Sequence, residues 1–247
     1  MKILTLAAGR GSRLEHQTES KPKCMTIVQN KPILFWQQQA QKLAGVSIQA
    51  AVLGYNADKI AAFFQQTFTN ENWQNTNMVS SLLQANDYFQ SEPVILSYSD
   101  IVYHPNDLIS LSQVPGDIVV AYDSNWLSQW SQRFENPLTD AETFKLSEKN
   151  HITEIGKRPL SLSDIEGQFL GLIKITPKGW QSIKAYLAKY NDSEIAKFDM
   201  TSLLQALIET GFPVIAHKVS HNWFEIDSLT DLEVANQQTE LFNWEQS

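Results

Sequence analysis

Residues 6–25, LAAGRGSRLEHQTESKPKCM, bring together small residues, glycines, arginine and lysine in the combination that phosphate chemistry uses. Ala7, Ala8, Gly9 and Gly11 are small enough for the main chain to lie against a ligand with its N–H groups facing outward. Arg13 and Lys23 add positive charge to the same stretch. Backbone donors combined with cations are what the α-, β- and γ-phosphates of a nucleoside triphosphate require. Two commoner glycine loops are excluded. The G-x-x-x-x-G-K-[ST] pattern is absent, and G-x-G-x-x-G fails at its third glycine, where Leu14 stands. Cys24, between grip residues, reads as a small buried filler under the loop, as free cysteine usually is.

A triphosphate site that runs an in-line displacement needs Mg²⁺, which is satisfied by one or two carboxylates together with phosphate oxygens and water. Two aspartates stand where such ligands belong. Asp100 closes the apolar run VILSYSD, and Asp227 lies in WFEIDS just ahead of the last helical segment. Each has a plainer reading, Asp100 as a turn residue and Asp227 as part of a helix N-cap. Beside the glycine loop, metal ligation is the favoured reading for both.

The elements that must position these residues follow from periodicity. Apolar runs at Lys2 to Leu6, Ile48 to Leu53, Val94 to Tyr98 and Asp117 to Tyr122 read as strands, with helices expected over about Ile33 to Ala44, about Ala57 to Gln66, and after Pro105. Further on, Thr143 to Ser147 and His151 to Ile155 read as a hairpin about Lys149-Asn150, and Gln168 to Ile175 as a long strand that extends the sheet. Helices are expected over about Pro177 to Lys189 and Met200 to Glu209, and after Ser228 with Asp231 at the capping-box position. The aromatic pairs Phe35-Trp36 and Phe63-Phe64 read as core, and the polar stretch Thr69 to Asn77 as a surface loop leading into a site. This rhythm predicts one α/β domain over residues 1–247, a three-layer fold with a mostly parallel twisted sheet and helices on both faces. Ligands of such sheets sit beyond the carboxyl ends of the strands, where the glycine loop lies.

Composition narrows the function classes. The formal net charge of −8 argues against a nucleic-acid partner, since phosphate-backbone binding relies on clustered Lys and Arg. No apolar run approaches the roughly 20 residues of a membrane span, and no secretory leader is evident, so a cytoplasmic location is expected. One cysteine excludes an intrachain disulfide framework.

The pattern L-A-A-G-x-G-x-R-L followed by K-P-K resembles the signature of the sugar-phosphate nucleotidyltransferase superfamily. NMVSSL (Asn77 to Leu82), YSDIVY (Tyr98 to Tyr103) and WFEIDSLTDLE (Trp223 to Glu233) are similar, in kind and order, to its small cytidylyltransferases. Those enzymes activate phosphocholine, aminoethylphosphonate or glutamine phosphate. SQRFENPLTDAETFKL (Ser131 to Leu146) and IEGQFLGL (Ile165 to Leu172) look most like the phosphoglutamine type. The resemblance implies a Rossmann-like nucleotidyltransferase fold that transfers CMP from CTP to a small phosphorylated acceptor and releases pyrophosphate. It implies catalytic roles for Lys23 and Arg13, with Lys23 on the α-phosphate, and metal ligation by Asp100 and Asp227. The nucleotide would be held by Leu6, Ala7, Ala8, Gly9, Gly11 and Ser12, and by an Asn77 to Ser81 loop with Asn77, Ser80 and Ser81. A homodimer is compatible with this reading.

The acceptor pocket separates two chemistries, because choline asks for an aromatic cage and an amino acid asks for a paired cation and anion. Tyr98, Trp126 and Trp130 could line a cage, whereas Arg133, Lys157, Glu142 and Glu166 could clamp a zwitterion. Trp126 and Trp130, at i and i+4, equally suit one buried helical face, and Lys157-Arg158 a solvated turn. Asp140 and Glu142 suggest a site for a charged head group. Alternative readings are a sugar-1-phosphate uridylyl- or thymidylyltransferase, a metal-dependent glycosyltransferase, and a non-catalytic nucleotide binder.

Overall fold

In the computed structural model, which describes residues 1–244, the Lys2–Ala7 strand lies inside a seven-stranded sheet. The strand order is Ile215–Lys218, Ile118–Asp123, Gln168–Ile175, Val94–Tyr98, Lys2–Ala7, Ile48–Leu53, Gln66–Thr69. Every neighbouring pair is parallel except those made by Gln168–Ile175, which runs antiparallel to both neighbours. That strand is inserted within the sheet and does not extend an edge.

Alternation along Lys2–Ala7 divides the core. Leu4 and Leu6 point into one apolar cluster with Val79, Leu82, Trp180 and Leu203, while Ile3 points into another with Ile33, Leu108, Trp130 and Ala235. The first face is covered by the helices Met78–Gln84, Pro177–Leu187 and Met200–Glu209. The second is covered by Ile33–Leu43, Pro105–Gln113, Trp126–Arg133 and Leu229–Gln237. The three-layer, mostly parallel α/β architecture is therefore present, and two-sided burial explains why its strands read as continuous apolar runs. Helix starts follow the local signals: Pro177 sits behind the Thr176 cap, Asp199 accepts from the Ser202 N–H, and Ser228 and Asp231 form a reciprocal capping box.

The hairpin forms as Phe144–Leu146 against Ile152–Ile155, with Asn150 in the left-handed region at φ 56°. The helix expected over about Ala57 to Gln66 does not form. Asn56 enters with φ 49°, two short 3₁₀ turns at Ala57–Lys59 and Ala61–Phe63 break at Ile60, and the chain is extended again at Gln66–Thr69. The β-favouring QTFT segment gains a ladder with Ile48–Leu53 at the sheet edge, which outweighs helical propensity over so short a stretch. Phe63, expected in the core, is 48% exposed as a result.

Candidate active site

The Lys2–Ala7 strand ends at the glycine turn, and its neighbour Val94–Tyr98 ends one residue before Ser99-Asp100, so their carboxyl ends bring the two motifs together. Gly11 adopts φ +72°, and a Cβ there would stand 2.7 Å from Cγ and Cδ of Lys23. The missing side chain is what lets the Lys23 stem lie against the turn, and Lys23 is only 7% exposed. Cys24 beside it is buried, and burial pushes its thiol up to about 12, so it is a protonated packing residue.

A small antiparallel ribbon brings the second aspartate in. Ile101–Val102 pairs with Phe224–Glu225, and the Ile226 N–H donates to the Asp100 carbonyl at 2.9 Å, which sets Asp227 beside Asp100. Gln37, fully buried on the Ile33–Leu43 helix, donates to the carbonyls of Tyr98 at 2.7 Å and Ile101 at 2.8 Å and so fixes the turn that carries Asp100.

Lys23 Nζ lies 2.5 Å from Oδ2 of Asp100 and also contacts Oδ1 of Asp227, while Arg13 contacts Oδ2 of Asp227. Burial opposes the Lys23 charge, but Asp100, Asp227 and Glu225 outweigh it and hold its pKa above the ordinary lysine value. Oδ1 of Asp100 is buried and has no hydrogen-bond partner. An orphaned carboxylate oxygen beside a second carboxylate fits a hard divalent cation. Among the described residues no group of three or more His, Cys, Asp or Glu side chains is arranged to hold a metal, so an ion here would complete its shell with phosphate oxygens and water.

Two residues that the sequence reading did not assign to this centre support it. Glu225, 28% exposed, is raised to about 7 by burial, with Arg133 opposing the shift and Asp100 adding to it. Arg133 Nη2 donates to Glu225 at 2.9 Å and its Nε to Asp231 at 2.6 Å. Asp231 in turn accepts the backbone N–H groups of Asp227 at 3.0 Å and Ser228 at 2.8 Å. Arg133 therefore lies behind the centre as a buried brace and not in the acceptor pocket where it was expected. Its placement follows from the Trp126–Arg133 helix, whose apolar face packs Trp126 and Trp130 into the core. Trp126, also expected in that pocket, lines neither of the two cavities at this centre, whereas Trp130 reaches one of them.

A cavity of 360 Å³ is lined by Leu6, Ala8, Gly9, Gly11, Ser12 and Arg13, and by Lys23, Asn77, Ser81, Asp100 and Asp227. Trp73 and Thr76, from the polar stretch expected to lead into a site, also line it. Ala7 faces away, packed with Cys24 and Leu34. The segment expected as an Asn77 to Ser81 loop is a helix from Met78 to Gln84 capped by Asn77, and this turns Ser80 out of the lining. Ser81 lines the cavity and accepts from Asn70 at 2.9 Å.

A second cavity of 220 Å³ shares Arg13, Met78, Tyr98, Glu225 and Asp227 with the first. Gly171, at φ +88°, makes room for the Tyr98 ring, which a Cβ there would meet at 2.7 Å. Asp140, Glu142 and Asp199 give this cavity a carboxylate wall, with Trp130 and Phe169 beside it. Burial, reinforced by Asp199, raises Glu142 to about 7. Lys157 and Glu166, expected here, lie elsewhere: Lys157 pairs with Glu154 at 3.1 Å on the surface, and exposed Glu166 accepts the Leu146 N–H at 2.5 Å. Their main chains run beside the lining residues Thr143 and Phe144, but their side chains are taken up by these outer partners and line neither cavity. A larger cavity of 510 Å³ among Asp123, Ser128, Gln132 and Asn222 has a lining rich in amides and hydroxyls and lacks the glycine turn.

The glycine turn, two cations and two carboxylates thus meet at one cavity beyond the strand ends. Residues 3–162 match the family model described as a MobA-like NTP transferase domain. Over 250 aligned residues the chain is 35% identical to CTP:phosphoglutamine cytidylyltransferase of Campylobacter jejuni, covering 95% of this chain and 98% of that one. The inositol-1-phosphate CTP transferase of T. maritima superposes with a TM-score of 0.79 at 20% identity, over 98% of this chain and 96% of that one. The CTP:phosphocholine cytidylyltransferase of Streptococcus pneumoniae gives 0.70 at 16% identity, over 96% and 97%. Nucleotidyltransferases of this kind generally use a divalent metal. Among the described residues no helix is long and apolar enough to cross a membrane. The fold, the matched family model and the full-length likeness agree: the chain belongs to the MobA-like NTP transferase family and is a nucleotidyltransferase.

Proposed function

We propose that this enzyme transfers the cytidylyl group of CTP, with Mg²⁺, to a small phosphorylated acceptor that bears an ammonium group, glutamine phosphate being favoured. The observation that carries the reading is the meeting of Lys23, Asp100 and Asp227 at one point beneath the glycine turn. An acceptor phosphate oxygen attacks the α-phosphorus, the bond to the bridging oxygen breaks, and its electron pair leaves with pyrophosphate. A phosphate dianion is already nucleophilic, so no general base is needed and the protein contributes alignment and charge.

Lys23 neutralises charge that builds on the α-phosphate, and Arg13 and the N–H groups of residues 9–11 hold the remaining phosphates. Bound Mg²⁺, held by Asp100 and Asp227, would supply further charge neutralisation. Leu6, Ala8, Ser12, Asn77 and Ser81 flank the nucleoside. Preference for CTP rests on the likeness to the C. jejuni enzyme.

The carboxylate wall of Asp140, Glu142 and Asp199 supports an ammonium head group, since a neutral sugar phosphate would leave a raised, partly buried carboxylate without a cation. A primary ammonium can donate hydrogen bonds to Glu142 and Asp199, which favours an amino acid over choline. Pyrophosphate release is the direct test, with each ribonucleoside triphosphate against glutamine phosphate, phosphocholine, aminoethylphosphonate and glucose 1-phosphate. Release with CTP and glutamine phosphate is expected. Release only with UTP and glucose 1-phosphate would replace this reading by a sugar-phosphate uridylyltransferase.

A further inference from the structure

The oxygens of the two aspartates are unequally occupied. Both oxygens of Asp227 already carry a cation, Lys23 on Oδ1 and Arg13 on Oδ2. Asp100 gives Oδ2 to Lys23 at 2.5 Å and keeps only Oδ1 without a partner. Asp100 and Asp227 would hold Mg²⁺ through their oxygens at about 2.0–2.1 Å, a closeness that an ammonium on the same oxygens does not permit. Lys23 is 8% exposed and Asp227 9% exposed at their side chains, so water screens this pairing little.

We infer that Lys23 is a competitor of the metal as well as a ligand of the nucleotide, so that the free protein binds the divalent ion weakly and the triphosphate unlocks the site. The inference rests on the nucleotidyl-transfer reading. Incoming phosphates offer Lys23 and Arg13 new anionic partners, and each cation drawn off frees a carboxylate oxygen. Nucleotide and metal therefore bind with positive coupling, and by linkage each tightens the other by the same factor. One consequence is that metal does not rest alone in the centre at low concentration. Another is that Lys23 reaches the α-phosphate from a pre-set position 2.5 Å from a metal ligand, without a long search. The absent side chain at Gly11 leaves the space beside the turn that the Lys23 stem occupies.

The test is titration of Mn²⁺ into the nucleotide-free protein, followed by the paramagnetic resonance of free Mn²⁺. Lys23→Met keeps the apolar stem and removes the ammonium. Lys157→Met removes the same charge from an exposed pair that lines neither cavity and sets the baseline for net charge alone. Lys23→Met is expected to bind Mn²⁺ at least tenfold more tightly than wild type, with Lys157→Met within twofold of wild type. In wild type, a non-hydrolysable CTP analogue is expected to tighten Mn²⁺ at least tenfold. Circular dichroism checks the fold, and Lys23→Gln replaces Lys23→Met in the comparison should the methionine variant not fold. Unchanged Mn²⁺ affinity on loss of the Lys23 ammonium, or an equal gain in Lys157→Met, would overturn the inference. Failure of the CTP analogue to bind wild type at any Mn²⁺ concentration would instead remove the nucleotidyl-transfer reading. The nucleotide-free comparison stands apart from that result.

Discussion

Arg133 and Asp231 form a buried ion pair, Nε to Oδ1 at 2.6 Å with side chains 1% and 2% exposed, directly behind the loop that carries Asp227. The same carboxylate accepts the backbone N–H groups of Asp227 and Ser228, so the pair fixes the main chain where the Leu229–Gln237 helix begins. Burial opposes ionisation of Asp231, but Arg133 and these donors hold it below the usual carboxylate range. The other arm of Arg133 reaches Glu225, so one guanidinium supports both the Phe224–Glu225 strand and the loop that carries Asp227.

Arg133→Met should therefore cost about 3–5 kcal/mol of stability, the range for stranding a buried partner, and lower turnover along with it. Asp231 has a depressed folded pKa, so its stabilisation is present above the unfolded value near 3.9 and is lost as pH falls through the folded one. Urea melts between pH 6 and pH 3 should show that acid-side loss in wild type and not in Arg133→Met. Lys in place of Arg133 should not restore wild-type stability, because one ammonium cannot match the fork that spans Asp231 and Glu225. Equal stability of Arg133→Lys and wild type would refute the brace.

The reach of sequence reading is clear at this brace. Lys23, Asp100 and Asp227 were legible because their neighbours are distinctive: a glycine turn, a strand end and a helix start each announce themselves locally. Arg133 and Glu225 were not, because their roles depend on contacts between residues 92 apart in the chain. An arginine on a helix bearing two tryptophans looks the same from sequence whether it faces a ligand or a buried carboxylate. Asp199 was hidden differently, since it caps the Met200–Glu209 helix and only the fold shows that it also lines the 220 Å³ cavity. The missed edge strand at Gln66–Thr69 has the same origin, a short segment whose conformation is decided by its ladder partner.

Lys23→Ala should leave the fold intact and reduce kcat by about a hundred- to a thousandfold, the scale for removing one preorganised donor from a developing anion. Asp100→Asn should lower turnover and raise the metal concentration needed for half-maximal rate. Initial rates over a Mg²⁺ series measure both, and near wild-type turnover in Lys23→Ala would refute the assigned role.

The two glycines of the turn should fail in different ways. Ala at position 11 meets Lys23 at 2.7 Å in a left-handed conformation, so Gly11→Ala should cost about 1–2 kcal/mol of stability and displace Lys23, lowering kcat. Ala at position 9 meets nothing within 4 Å, so Gly9→Ala should melt like wild type and instead raise KM for CTP by crowding the phosphates. Thermal melts with steady-state kinetics separate the two. The same loss in both variants would argue against distinct roles.

Glu142 should set a pH dependence for binding of the proposed acceptor. Its folded pKa is raised to about 7, first by burial and then by Asp199, so it gains a full negative charge only as pH rises through that value. An acceptor that carries an ammonium group should bind more tightly above pH 7 than at pH 6, seen as a falling KM for the acceptor while KM for CTP stays flat. Acceptor phosphate also titrates in this range, with a second pKa near 6, and Glu142→Gln separates the two contributions by removing only the protein's share. In that variant the acceptor KM should be several-fold higher at pH 8 and lose most of its slope between pH 6 and pH 8. The stability sign is opposite to that of Asp231. A raised carboxyl pKa means that the folded state binds the extra proton, so Glu142 erodes stability as pH rises from its ordinary value toward 7, and Glu142→Gln should flatten that decline. An unchanged acceptor KM profile in Glu142→Gln would move the ammonium contact to Asp140 or Asp199.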